Sequence, residues 1–191
     1  MTESLVEQAL RIARLLDGLG IPYLAGGSIA SSLLGEPRST LDIDLVVQLR
    51  SEKVGPLVSL LSRDFAVDEE TARQAAEDHL SFAAVHLSGA FKIDFFVLED
   101  TPLARRQMER RQKIEVTRDG DSLFVYAPED IVIQKLRWYE MGGRVSDRQW
   151  RDVLGIIKVQ GARLDPDYLA MVAGELGLTE LLTKAMSEAQ A

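Results

Sequence analysis

Leu41-Asp-Ile-Asp-Leu-Val-Val47 places two carboxylates inside a stretch that otherwise reads as a buried β-strand. Residues alternate between the faces of a strand, so Asp42 and Asp44 leave the same face, about 7 Å apart along the chain. Two like charges on one face of an apolar strand repel each other and lose hydration, so they need a compensating cation. Asp-x-Asp occurs three times among the 15 aspartates. Asp119-Gly-Asp121 is explained by a hairpin turn and Asp165-Pro-Asp167 by a helix start. Only Asp42 and Asp44 lack a local reason to be there. Magnesium suits them, because it prefers carboxylates together with substrate phosphates.

Just upstream, the apolar run Ile21-Pro22-Tyr23-Leu24-Ala25 ends at Gly26-Gly27-Ser28 and passes directly into a helix. By itself this is a tight turn with a serine cap. It is also the arrangement in which glycines and a helix N-terminus can approach a phosphate. Asp94, in Phe91-Lys-Ile-Asp-Phe-Phe-Val-Leu98, is a third acid interrupting an apolar strand. An arginine partner at a strand edge would account for it. If its strand pairs with 41–47, the three acids converge instead, and two metals become possible.

The remaining pattern predicts an α+β chain. Helices are expected over 5–19, 28–34, 51–61 and 68–78, with a basic one from 102 to about 111. Strands are expected at 21–25, 41–49 and 65–67. A hairpin of 81–87 and 91–98 turns at Ser88-Gly89, and a second pairs 114–117 with 122–126 across Arg118-Asp-Gly-Asp121. From Pro128 onward everything reads as helix: 128–141, 146–159, 166–176 and 179–189. The expected division is a mixed α/β core over 1–126 and a helical region over 127–191. Trp138 and Trp150 fall at core-like helical positions, and His86 shares a strand face with Phe82 and Ala84.

Composition narrows the chemistry. Among 191 residues there is no cysteine and there are two histidines. Thiolate chemistry is thereby excluded, and zinc held by histidines or a histidine-centred triad is disfavoured. The net charge of −8 argues against nonspecific coating of nucleic acid. Within it, Thr101 to Arg118 carries six Lys/Arg against Glu109 and Glu115, and Lys135 to Arg163 carries seven against three acids. Either stretch is a solvated surface or a local phosphate-binding patch. The opening residues are acidic and amphipathic rather than a secretory signal, and no apolar run approaches the ~20 residues of a membrane span. A cytoplasmic protein without a membrane partner is expected.

Gly27-Ser28, thirteen intervening residues, Asp42-Ile-Asp44 and a later strand bearing Asp94 together resemble the nucleotidyltransferase (polymerase-β-like) superfamily. The match covers roughly Tyr23 to Leu98. It implies a nucleotidyltransferase-fold mixed sheet with flanking helices and a C-terminal helical bundle. Gly26, Gly27 and Ser28 would bind the nucleoside triphosphate. Asp42, Asp44 and Asp94 would hold Mg2+ or Mn2+, with Asp94 favouring deprotonation of the acceptor.

Further on, Ala127-Pro-Glu-Asp-Ile-Val-Ile-Gln-Lys135-Leu and Arg148-Gln-Trp-Arg-Asp152-Val-Leu resemble the AbiEii-type branch of abortive-infection and toxin–antitoxin nucleotidyltransferases. That resemblance implies catalytic roles for Lys135 and Asp152, with Lys135 also binding nucleotide, so that the helical region completes the nucleotide site. From the residues alone, Lys135 is a solvated cation and Asp152 a partner of Arg148 or Arg151. Arg38, before the acid strand, reads as a loop cation or a phosphate contact. The implied activity is magnesium-dependent transfer of NMP from an NTP to an acceptor hydroxyl. A tRNA 3′ end would be the acceptor for a toxin with a cognate antitoxin. The alternatives are a small, aminoglycoside-like acceptor, or an inactive module of the same fold that binds a partner or serves as an antitoxin.

Overall fold

The computed structural model describes residues 5–89 and 91–190. The first four residues, on which the expectation about a leader partly rests, lie outside them. The described chain alternates helices and strands: α1 (Leu5–Gly18), β1 (Tyr23–Ala25), α2 (Gly27–Leu34), β2 (Asp42–Val47), α3 (Ser51–Leu61), β3 (Phe65–Ala66), α4 (Glu69–Asp78), β4 (Ser81–His86) and β5 (Lys92–Val97). Then come α5 (Pro102–Arg110), β6 (Gln112–Glu115), β7 (Ser122–Val125) and the helices α6 (Pro128–Met141), α7 (Asp147–Gln160), α8 (Pro166–Glu175) and α9 (Thr179–Ala189). None of these helices is long and apolar enough to cross a membrane. The architecture is α+β.

Two compact units result. One comprises the described residues through Ile29 together with Ser39–Val125; the other comprises Ala30–Arg38 together with the described residues from Tyr126 on.

In the first unit the strands form one sheet, ordered β3-β4-β5-β2-β1-β7-β6. β2 is central, antiparallel to β1 and parallel to β5. Its burial alternates as its sequence does: Ile43, Leu45 and Val47 are fully buried, while Asp42, Asp44 and Val46 are half-buried. β5 repeats the pattern, with Ile93, Phe95 and Val97 inside. The apolar faces of these two strands make the sheet's core, and the acids share the other face. β1 is shorter than expected, because Pro22 has no N–H to donate to a ladder and serves only as an acceptor, from Gln48. The second hairpin pairs two residues earlier than expected, with Ile114 opposite Leu123. Residues 116–121 are drawn into its turn, where Thr117 Oγ1 accepts from the Asp121 N–H at 3.1 Å. His86 is half-buried, stacked on Phe91 and edge-on to Phe65.

In the second unit the four helices begin where the sequence indicates. Ser146 and Asp165 cap α7 and α8, and Pro128 and Pro166 occupy first-turn positions. Two buried acids in the first turn of α6 hold α8. Glu129 accepts from the Asp165 N–H at 3.0 Å, and Asp130 accepts from the Tyr168 hydroxyl at 2.6 Å. The tryptophans differ from their core-like reading. Trp138 is 47% exposed. Trp150 leans on Tyr139, donates to Glu188 and carries the Lys184 ammonium over its ring.

Candidate active site

The acid face is built by strand register. β2 and β5 run parallel, with Asp44 opposite Asp94 and Asp42 opposite Lys92. Directly paired residues in a sheet point to the same side, about 4.8 Å apart across the ladder. Asp42, Asp44 and Asp94 therefore share one face, half-buried, while their apolar neighbours fill the other.

The glycine element lies against the same carboxylates. The Gly26 N–H donates to the Asp44 carbonyl at 2.9 Å, continuing the β1–β2 ladder into the turn. Gly27 opens α2 with φ of +48°, a backbone conformation that L side chains rarely adopt. A Cβ there would stand 1.7 Å from Asp44 Oδ2. Glycine is thus required both by dihedral angle and by space. Ser28, buried, follows in the first turn of the helix.

Lys92 completes this face. Its Nζ donates to Asp94 Oδ2 at 2.6 Å. That hydrogen bond, reinforced by the charges of Asp94, Asp42 and Asp44, holds the ammonium above its ordinary lysine range despite some loss of hydration. The sequence reading passed Lys92 by, although its i, i+2 spacing from Asp94 puts both on one strand face. Among the described residues no three carboxylates or histidines are gathered closely enough to hold a metal ion. The donor chemistry nevertheless fits magnesium or manganese: hard oxygen ligands share a face that already attracts a cation, beside a cradle that a Cβ would fill. Asp94 would turn to such an ion from Lys92.

Lys135 and Asp152 lie in the second unit, where the structure brings them together. Lys135 Nζ donates to Asp152 Oδ2 at 2.7 Å, and both side chains are 5% exposed. Lys135 is therefore not a solvated cation, and Asp152 is not spent on Arg148 or Arg151. Its second partner is Arg38, whose Nε and Nη2 donate to the two carboxylate oxygens at 2.9 and 3.1 Å. Burial pushes the Asp152 carboxyl up, but the hydrogen bonds and charges of Arg38 and Lys135 outweigh it and hold the group below the usual carboxylate range. Close backbone approach makes this fork possible. A Cβ on Gly35 would stand 2.8 Å from the Ile156 nitrogen, and Gln160 Nε2 donates to the Leu34 carbonyl at 2.5 Å. The segment bearing Arg38 is thereby pressed onto α7. A loop cation gave no hint of this, since its partner lies 114 residues away.

No family model matches the chain, and no curated protein matches it in sequence. Solved structures do match in fold. An antigenic nucleotidyltransferase-like protein from Paracoccidioides brasiliensis superposes with a TM-score of 0.58 at 19% identity, over 95% of this chain and 91% of that one. ANT(2″)-Ia in complex with adenylyl-2″-tobramycin gives 0.59 at 17% identity, over 97% and 98%. The lincomycin-bound lincosamide antibiotic adenylyltransferase LnuA gives 0.53 at 12% identity, over 80% and 97%. The chain has the nucleotidyltransferase fold.

Proposed function

We propose that this protein is a divalent-metal-dependent nucleotidyltransferase that moves an NMP group from an NTP to an acceptor hydroxyl, releasing pyrophosphate. One observation carries the reading: Asp44 and Asp94 sit in register on parallel strands, with Gly27 pressed against the Asp44 carboxylate. Asp42, Asp44 and Asp94 would hold Mg2+ or Mn2+. Such an ion neutralises charge on the phosphates and activates the attacking oxygen. Gly26, Gly27 and Ser28, at the start of α2, would bind phosphate oxygens, since a helix N-terminus and its dipole favour anions. Asp94 would also favour deprotonation of the acceptor hydroxyl. By the AbiEii-type resemblance, Lys135 would bind nucleotide and share a catalytic role with Asp152; its ammonium is held by Asp152, which Arg38 holds in turn.

For the acceptor, the AbiEii-type resemblance points to a tRNA 3′ end, in a toxin with a cognate antitoxin. A second reading takes a small hydroxyl-bearing molecule, such as an aminoglycoside. Two observations favour it. Part of the basic segment serves the protein itself: Arg105 pairs with Asp100, while Arg111 donates to the Met108 carbonyl and stacks on Phe124. The fold also matches ANT(2″)-Ia over nearly the whole of both chains.

The test incubates the protein and Mg2+ with each α-labelled NTP, in the presence of total tRNA or a panel of aminoglycosides. Label should move to one acceptor class, pyrophosphate should appear, and Asp44→Asn should abolish both. Absence of transfer and of nucleotide binding with all four NTPs, in magnesium and in manganese, would overturn the proposal.

A further inference from the structure

The acid face is a block of four side chains on two adjacent strands: Asp42 beside Lys92, and Asp44 beside Asp94. Three carry negative charge and one positive. The Lys92 side chain is 44% exposed and that of Asp94 20%, so the lysine is the partner with open solvent to move into. A lysine suits such a place: its ammonium is a compact charge on a flexible stem, whereas a guanidinium would lock onto a carboxylate bidentately.

We propose that Lys92 is the resident counter-cation of the Asp42/Asp44/Asp94 face, that a divalent ion binds by displacing its ammonium, and that Lys92 thereby sets the metal affinity of the site. The inference rests on the metal-binding reading above. Without an ion, the lysine holds Asp94 and offsets repulsion among three acids that strand register sets on one face. When an ion arrives, Asp94 exchanges a single charge for a double one and the ammonium swings out to water. Lys92 is in this sense a positioning residue: it acts through Asp94.

The test uses Mn2+ as probe, with free ion read by electron paramagnetic resonance, on the full chain stripped with EDTA. Lys92→Met should bind Mn2+ about tenfold more tightly than the wild type, since the ion no longer competes with a bound charge. Its thermal midpoint in EDTA should fall by about 2–4 °C, because the acids lose their counter-charge. Lys92→Gln serves the same comparison should Lys92→Met fold poorly, and Lys113→Met on β6 controls for net charge. If wild type binds Mn2+ and neither Lys92 variant binds it more tightly, or if Lys113→Met tightens binding equally, this proposal falls and the metal reading stands. If neither wild type nor variant binds Mn2+, the metal reading falls and takes this one with it.

Discussion

Asp44 and Asp94 are nearest neighbours across the β2–β5 ladder, although fifty positions apart in sequence. Parallel register, rather than any local motif, makes them a pair. Replacing Asp44 by Asn should cut nucleotidyl transfer by on the order of 100-fold or more, the scale seen when even the supports of metal ligands are lost. Because the change also removes one of three like charges, its thermal midpoint in EDTA should equal or exceed that of the wild type. Activity and calorimetry on the same preparation check both halves. A stability loss matching the activity loss would mark the residue as structural.

Gly27→Ala is expected to fail twice over. The methyl group would collide with the Asp44 carboxylate, and the positive φ would be strained. A destabilisation of about 1–3 kcal/mol should follow, measured by urea unfolding. Nucleotide binding, followed by equilibrium dialysis at a temperature where the variant is folded, should be lost as well.

The two ends of the Lys135–Asp152 pair make unequal predictions. Lys135→Met leaves Asp152 paired with Arg38, whereas Asp152→Leu removes from two cations, Lys135 and Arg38, the carboxylate they share. The second change should cost about 3–5 kcal/mol and the first clearly less, as read from denaturant midpoints. Adding Lys135→Met to Asp152→Leu should recover much of the loss.

Acid should reveal the same carboxylate. The folded-state pKa of Asp152 lies below its ordinary value of 3.8. The stability it contributes is present in full above that value and disappears as pH falls through the lower, folded one. As pH falls below about 4, wild type should lose stability more steeply than a Lys135→Met/Asp152→Leu variant. Chemical unfolding across that range measures the difference.

Much of this was legible in the sequence because the signals were local. Alternation announced β2 and β5 and put their acids on one face. Glycine after an apolar strand announced the turn at Gly27, and Asp165-Pro166 marked the start of α8. The register of Asp94 against Asp44 could be stated only as a condition, since pairing of parallel strands leaves no trace in either strand alone. Arg38 and Lys135 were harder still. Their pairing is with a carboxylate on α7 that neither segment encodes, so a loop arginine and a helix lysine read as solvated charges. Trp138 misled for the converse reason: its helical spacing suits a core, but the neighbouring elements leave that flank of α6 open.

Both tryptophans of the chain, Trp138 and Trp150, belong to the helical unit, and the sheet unit has none. Intrinsic indole emission therefore reports on one half of the protein only, while far-ultraviolet dichroism averages over both. Overlaying the two melting curves would reveal directly whether the halves come apart together or one after the other.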